Sequence, residues 1–144
     1  MRACRRKWKS WHKGTREDPT VVQAALTNCT YLQHEGVMLD GLHVFASPYQ
    51  PPAPMRTMAF NIAEEADRDA MNASIPAGLH VLLSHGPPFS KLDAIPSGKH
   101  RNVPVGSGRA VACGWPASHV FGHIHEGQGI DSAASFRCSK PCRA

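Results

Sequence analysis

No stretch of this sequence stays apolar for the roughly 20 residues that a membrane-spanning helix requires. The basic N-terminus is not followed by an apolar segment, so it does not have the form of a secretory signal. Cysteine is present without organisation. Cys4, Cys29, Cys113, Cys138 and Cys142 form an odd, scattered set with no framework spacing, which argues against a disulfide-stapled fold and for a reducing compartment. A cytoplasmic protein without a membrane partner is therefore expected. Acidic side chains are missing from positions 1–16, where seven of the 16 Lys and Arg residues lie. The remaining chain carries nine basic against 11 acidic side chains, so the formal net charge of +5 belongs to the tail and the body is slightly acidic.

What is present fits one globular domain. A chain of 144 residues can bury one sizeable core, and its 42% hydrophobic and 19% charged residues are those of a folded protein. Residues 1–19 read as a basic tail closed by Pro19. Trp8 and Trp11 offer stacking surfaces among the Arg and Lys residues, but a solvated terminus is the simpler reading and nucleic-acid binding is not expected of it. Thr20 to Leu26 fits a short helix or an extended lead-in equally well. Turns at Glu35-Gly36 and Asp40-Gly41, with Tyr31-Leu32 and Val37 to Leu39 beside them, suggest a β-meander. Leu42 to Ala46 reads as a strand, Ile62 to Ala73 as a helix, and Leu79 to Ser84 and Ser118 to Phe121 as two further strands. Residues 86–108 hold four Gly and four Pro, which predicts a long functional loop over the surface. The body is expected to span 20–131, with a weakly structured tail over 132–144.

Three of these strands open on His-Val, at His43, His80 and His119. They read as neighbours in one open α/β sheet, with these three histidines structural and at the end opposite the site. Ligands of such sheets gather outside the carboxyl ends of the strands, and two of those ends carry more histidine. His85 follows the second strand, where Gly86 allows a sharp turn and Pro87-Pro88 stiffens the exit. His123 and His125 lie two apart beyond the third, so extended backbone would put both on one face. Gly122 and Gly127 flank the pair and would let a metal or phosphate approach the backbone. Three imidazoles from neighbouring strand ends are a ligand set for zinc, manganese or iron. Asp93 is a further candidate, although a solvated loop carboxylate is its simpler reading, and Glu126 could orient an imidazole. His12, His34 and His100 have no supporting context.

These segments resemble the calcineurin-like metallophosphoesterases, in the branch of metallophosphoesterase-domain and cyclic-nucleotide phosphodiesterase-like proteins. The residues that carry the resemblance are Tyr31-Leu32, Gly41 to Pro48, Ala59-Phe60-Asn61, Val81 to Pro88 and His119 to Gly127. It implies a hydrolase with two divalent ions, Mn, Fe or Zn, in which His85 and His123 bind one ion and His125 the other. The bridging hydroxide would attack a phosphate ester, a nucleotide among the candidates. It also implies an α/β two-sheet sandwich, of which this chain would supply only the C-terminal part. The family's earlier motifs, an Asp-x-His, a Gly-Asp and a Gly-Asn-His, do not occur before His85. The chain thus reads as a C-terminal fragment or truncated product, weak or inactive alone. Two alternatives stay open: a mononuclear zinc site built from the same three histidines, and a degenerate domain that binds a metal or a partner without catalysis.

Overall fold

The computed structural model describes residues 18–52, 59–88, 91–93, 116–133 and 136–139. The tail residues 1–17 and the loop residues 94–115 lie outside the described residues. Asp18 accepts the Thr20 N–H at 2.8 Å and so caps a six-residue helix, α1 (Pro19–Ala24). Pro19, read above as the close of the tail, is the first residue of this helix, where its missing N–H costs nothing.

Six strands among the described residues form one mixed sheet in the order β1-β2-β3-β4-β6-β5. They are β1 (Glu35–Leu39), β2 (Leu42–Ser47), β3 (Val81–Ser84), β4 (Ser118–Phe121), β5 (Ile130–Ala133) and β6 (Phe136–Ser139). β2, β3, β4 and β6 run parallel, and β1 and β5 are antiparallel additions at the two edges. The α/β expectation holds. The turn at Asp40-Gly41 also stands: φ of 48° and 80° at these two residues joins β1 to β2 with the twist that a two-residue hairpin favours. Glu35-Gly36 is not a turn. Both residues pair in β1, opposite Ala46 and Phe45, and a Cβ on Gly36 would stand 3.2 Å from the His43 ring. That glycine makes room for a side chain.

Two other expectations need correction. The helix α2 (Glu65–Ala73) starts three residues later than Ile62. Asn61 bridges to Gln50, and Ile62 donates its N–H to the Gln50 carbonyl at 2.9 Å, which holds this lead-in extended. The stretch from Ser132 onward, read as weakly structured, instead enters the β5–β6 hairpin. β6 pairs with β4 and β5 with β6, and the first of these is a long-range contact that local composition does not announce.

The two faces of the sheet differ. Phe45, Leu82 and His119 are register neighbours and share one face. Phe45 and Leu82 bury there with Ile75 and Leu79, which follow α2. On the other face Leu83 is 38% exposed, against 1% for Leu82. The register also aligns the strand ends, Ser47 with Ser84 and Ser84 with Phe121. His85 therefore leaves the sheet between two neighbours that end level with it. No helix among the described residues is long and apolar enough to cross a membrane.

Candidate metal centre

The ladder runs one step past the strands. His85 donates its N–H to the Ser47 carbonyl at 3.3 Å, and its own carbonyl accepts the Gly122 N–H at 3.0 Å. The His85 peptide is thus held from both sides at the carboxyl edge. Gly86, Pro87 and Pro88 behind it are buried, so the loop expected on the surface begins inside the protein. From this anchor the His85 ring meets that of His123, with Nε2 and Nδ1 3.1 Å apart and ring centroids at 4.8 Å. Two neutral imidazoles meeting in this way share one proton, one nitrogen donating and the other accepting. Desolvation pulls the pKa of His85 below its ordinary value, which favours the neutral form that ligates metal.

His123 and His125 are not on an extended segment. β4 stops at Phe121, His123 turns into the left-handed region at φ 70°, and His125 opens a three-residue 3-10 turn through Gly127. Left-handed backbone at a non-glycine residue carries strain, and here it is the step that carries the His123 ring to His85. The flanking glycines also differ from expectation. A side chain at Gly122 would meet only the His85 carbonyl at 3.6 Å, an ordinary contact. At Gly127 a Cβ would overlap the carbonyl of Leu92, so the close approach there is made by the protein's own backbone. Lys91, next to Leu92, pairs with Asp131 of β5 at 2.9 Å. The segment 91–93 is thereby tied to the turn that begins at His125. Asp93 rides on it and is 1% exposed, a buried carboxylate and not the solvated one expected. Glu126 is exposed on the 3-10 turn.

No family model matches the chain. Over 111 residues it is 40% identical to the metallophosphoesterase domain-containing protein 1 of Homo sapiens and to that of Mus musculus, covering 76% of this chain and 33% of each relative. The matched part of the chain belongs to the metallophosphoesterase family. It is also 35% identical over 105 residues to a UPF0046 protein of Caenorhabditis elegans, covering 72% of this chain and 26% of that one. The chain spans about a third of the length of the human and mouse relatives.

A metallophosphoesterase site needs metal, and the donor set can be tested against it. Two imidazole nitrogens on one tetrahedral ion at about 2.0–2.1 Å stand about 3.3 Å apart, close to the 3.1 Å between His85 and His123. That pair fits one ion. No group of three or more His, Cys, Asp or Glu gathers around a metal position among the described residues, so the full two-ion set is not assembled there.

Two further histidines hold this edge, and the sequence reading did not give them that task. The Ser84 hydroxyl donates to the Gly86 carbonyl at 2.7 Å and also meets Nε2 of His119 at 2.7 Å. A hydroxyl has one proton, so His119 must be the donor and its Nδ1 carries the lone pair. That Nδ1 is buried without a hydrogen-bond partner. Burial pushes the pKa of His119 down to about 4. His34 repeats the arrangement one strand over. Ser74 donates to the Met71 carbonyl at 2.7 Å, so His34 Nε2 donates to Ser74 at 2.8 Å and its Nδ1 accepts from Ser47 at 3.0 Å. Ser84 and Ser47 end apolar strands, whereas Ser74 caps the end of α2. A polar residue at the strand end is the one sequence signal that pointed to these pairs.

Proposed function

We propose that this chain is the histidine-bearing C-terminal part of a two-sheet metal-dependent phosphoesterase domain, which hydrolyses phosphate mono- or diesters. The observation that supports it best is the His85–His123 pair, facing nitrogen to nitrogen at 3.1 Å outside the carboxyl ends of parallel strands. His85 and His123 would hold one divalent ion, and the resemblance gives His125 to a second. Bound Mn, Fe or Zn would supply Lewis acidity and an activated hydroxide. The protein's share is to aim these imidazoles and, by desolvation, to favour the neutral form of His85. Beside His85 opens a cleft of about 440 Å³ walled by Leu32, Ala59, Phe60 and Leu83, with Gln50 and Ser47 as its polar points. It would receive the organic group of the ester, a nucleotide base among the candidates.

Turnover by the 144-residue chain alone should be small. A two-ion site needs carboxylates to hold the ions at about 3.5–4 Å against their repulsion, and neutral imidazoles do not supply that charge. Loss of a general acid removes a further factor of about 10²–10⁴. The test combines metal stoichiometry with hydrolysis of a nitrophenyl phosphodiester in excess manganese. Little turnover by the chain, rescue by a fused upstream half carrying Asp-x-His, Gly-Asp and Gly-Asn-His, and loss of the rescue in His123→Ala would support the reading. Strong turnover by the chain alone that vanishes in His123→Ala would overturn the ligand count. One bound ion per chain would favour the mononuclear site, and none the non-catalytic domain.

A further inference from the structure

We propose that His119 is a positioning residue for His85, acting through the Ser84 hydroxyl on the turn that presents the ligand. This inference rests on the reading of His85 as a metal ligand. Two links carry it, each 2.7 Å long: His119 Nε2 donates to Ser84 Oγ, and Ser84 Oγ donates to the Gly86 carbonyl. Gly86 adjoins His85, and the ladder bonds to Ser47 and Gly122 fix only the His85 peptide itself. The Ser84–Gly86 bond fixes the next peptide, and with it the direction in which the chain leaves the sheet.

His119 occupies a place where an apolar side chain would otherwise serve. It is 1% exposed, on the face that buries Leu82, and its ring packs edge-on to Phe121 at 5.1 Å. A phenylalanine or leucine there would fill the space without leaving a buried nitrogen unpaired. The histidine leaves Nδ1 without a partner, and buried polar atoms in that condition are uncommon. What it adds is a donor. Without one, the Ser84 hydroxyl can rotate away from Gly86, since nothing then requires its proton to point there. With His119 donating, the oxygen has received its bond and its proton has one direction left.

The experiment uses the full chain, three single variants, the His119→Phe/Ser84→Ala double variant and His123→Ala as the ligand control. His119→Phe keeps the ring and its contact with Phe121 but removes the donor, His119→Gln returns an N–H, and Ser84→Ala removes the relay itself. Zinc alone is the titrant. Removal of groups that orient a ligand costs about 10–100-fold in metal affinity, so His119→Phe and Ser84→Ala should each weaken zinc about tenfold. The double variant should be no weaker than either single, and His119→Gln should recover most of the loss. Unchanged affinity in His119→Phe, or equal losses in His119→Phe and His119→Gln, would overturn the proposal. Should His119→Phe fail to fold, the Ser84→Ala comparison decides alone, and wild-type affinity there is equally fatal. If His123→Ala binds zinc as wild type does, the metal reading fails, and the positioning is judged by nuclear magnetic resonance instead. The ring contact between His85 and His123 should be lost in His119→Phe and kept in His119→Gln. Its survival in both would end the proposal.

Discussion

The two ends of the same parallel strands use histidine in opposite ways. At the amino end, His80 Nδ1 accepts the His43 N–H at 2.9 Å while the His80 N–H donates to the His43 carbonyl at 2.9 Å. The imidazole there completes a backbone ladder at an exposed position. At the carboxyl end His85 faces His123, and two more rings, His34 and His119, grip the terminal serines. Sequence context does not separate these tasks, because His43, His80 and His119 all precede valine. The hydrogen-bond partner does. A ring that meets a main-chain N–H near water is replaceable, whereas a ring bonded to a side chain at the strand end sets the geometry around it.

The largest expected effect is acid sensitivity located at the carboxyl end. His119 is held at a pKa of about 4 by burial, below the ordinary histidine value of 6.5. Below pH 6.5 the unfolded chain takes up a proton that the folded chain refuses, so the stabilising contribution is full above 6.5 and is lost as pH falls from 6.5 to 4. The stake is on the order of 3 kcal/mol. His85 and His34 are both shifted down by desolvation, His34 against an opposing pull from the Met71 carbonyl, and they add in the same direction. Urea midpoints at pH 7, 5.5 and 4 should fall steeply in the wild type and less in His119→Phe. Parallel curves for the two proteins would place the acid sensitivity elsewhere.

A smaller effect separates strain from ligation. His123 sits at φ 70°, a conformation that glycine reaches without cost and that other residues enter at roughly 1–2 kcal/mol. His123→Gly should therefore melt at or above the wild-type temperature, and His123→Ala below His123→Gly, while both lose zinc binding. Destabilisation of His123→Gly by more than about 1 kcal/mol would mean that the imidazole holds the edge together through its own contacts.

Much of this edge was legible before any fold was known, and the limit has a physical form. The strands β2, β3 and β4 announce themselves as short apolar runs, and His85 and the His123 to His125 pair mark where two of them end. Local backbone geometry was not legible. Extended spacing put His123 and His125 on one face, but the left-handed turn at His123 and the 3-10 turn at His125 break that alternation. Burial was also hidden where it comes from distant chain. Asp93 looks like a loop carboxylate until the Leu92 carbonyl is seen against Gly127. His34 had no context because its partners, Ser47 and Ser74, are 13 and 40 residues away. The His-Val pattern places His119 at the far end of its strand, yet its ring reaches forward to Ser84 at the carboxyl edge.

The smallest effect is the one that tests the contrast most directly, since it is expected to be almost nothing. His80 is exposed, and the bond it accepts from the His43 N–H is open to replacement by water. Exchanging a protein partner for water at such a site removes only the net value of one hydrogen bond, about 0.5–1.5 kcal/mol at most, and exposure brings it toward the low end. His80→Ala should therefore shift stability by about 0.5 kcal/mol and leave zinc affinity where it was. Ser84→Ala deletes a single oxygen at the other end of the same strand, β3, and should weaken zinc about tenfold. Equal effects of the two substitutions on zinc would show that the ends are not specialised and that the strand transmits any disturbance along its length. A large loss from His80→Ala alone would place the controlling contact at the amino end. The expected asymmetry requires that His85 be aimed by its immediate neighbours, Ser84, Gly86 and the His119 ring behind them.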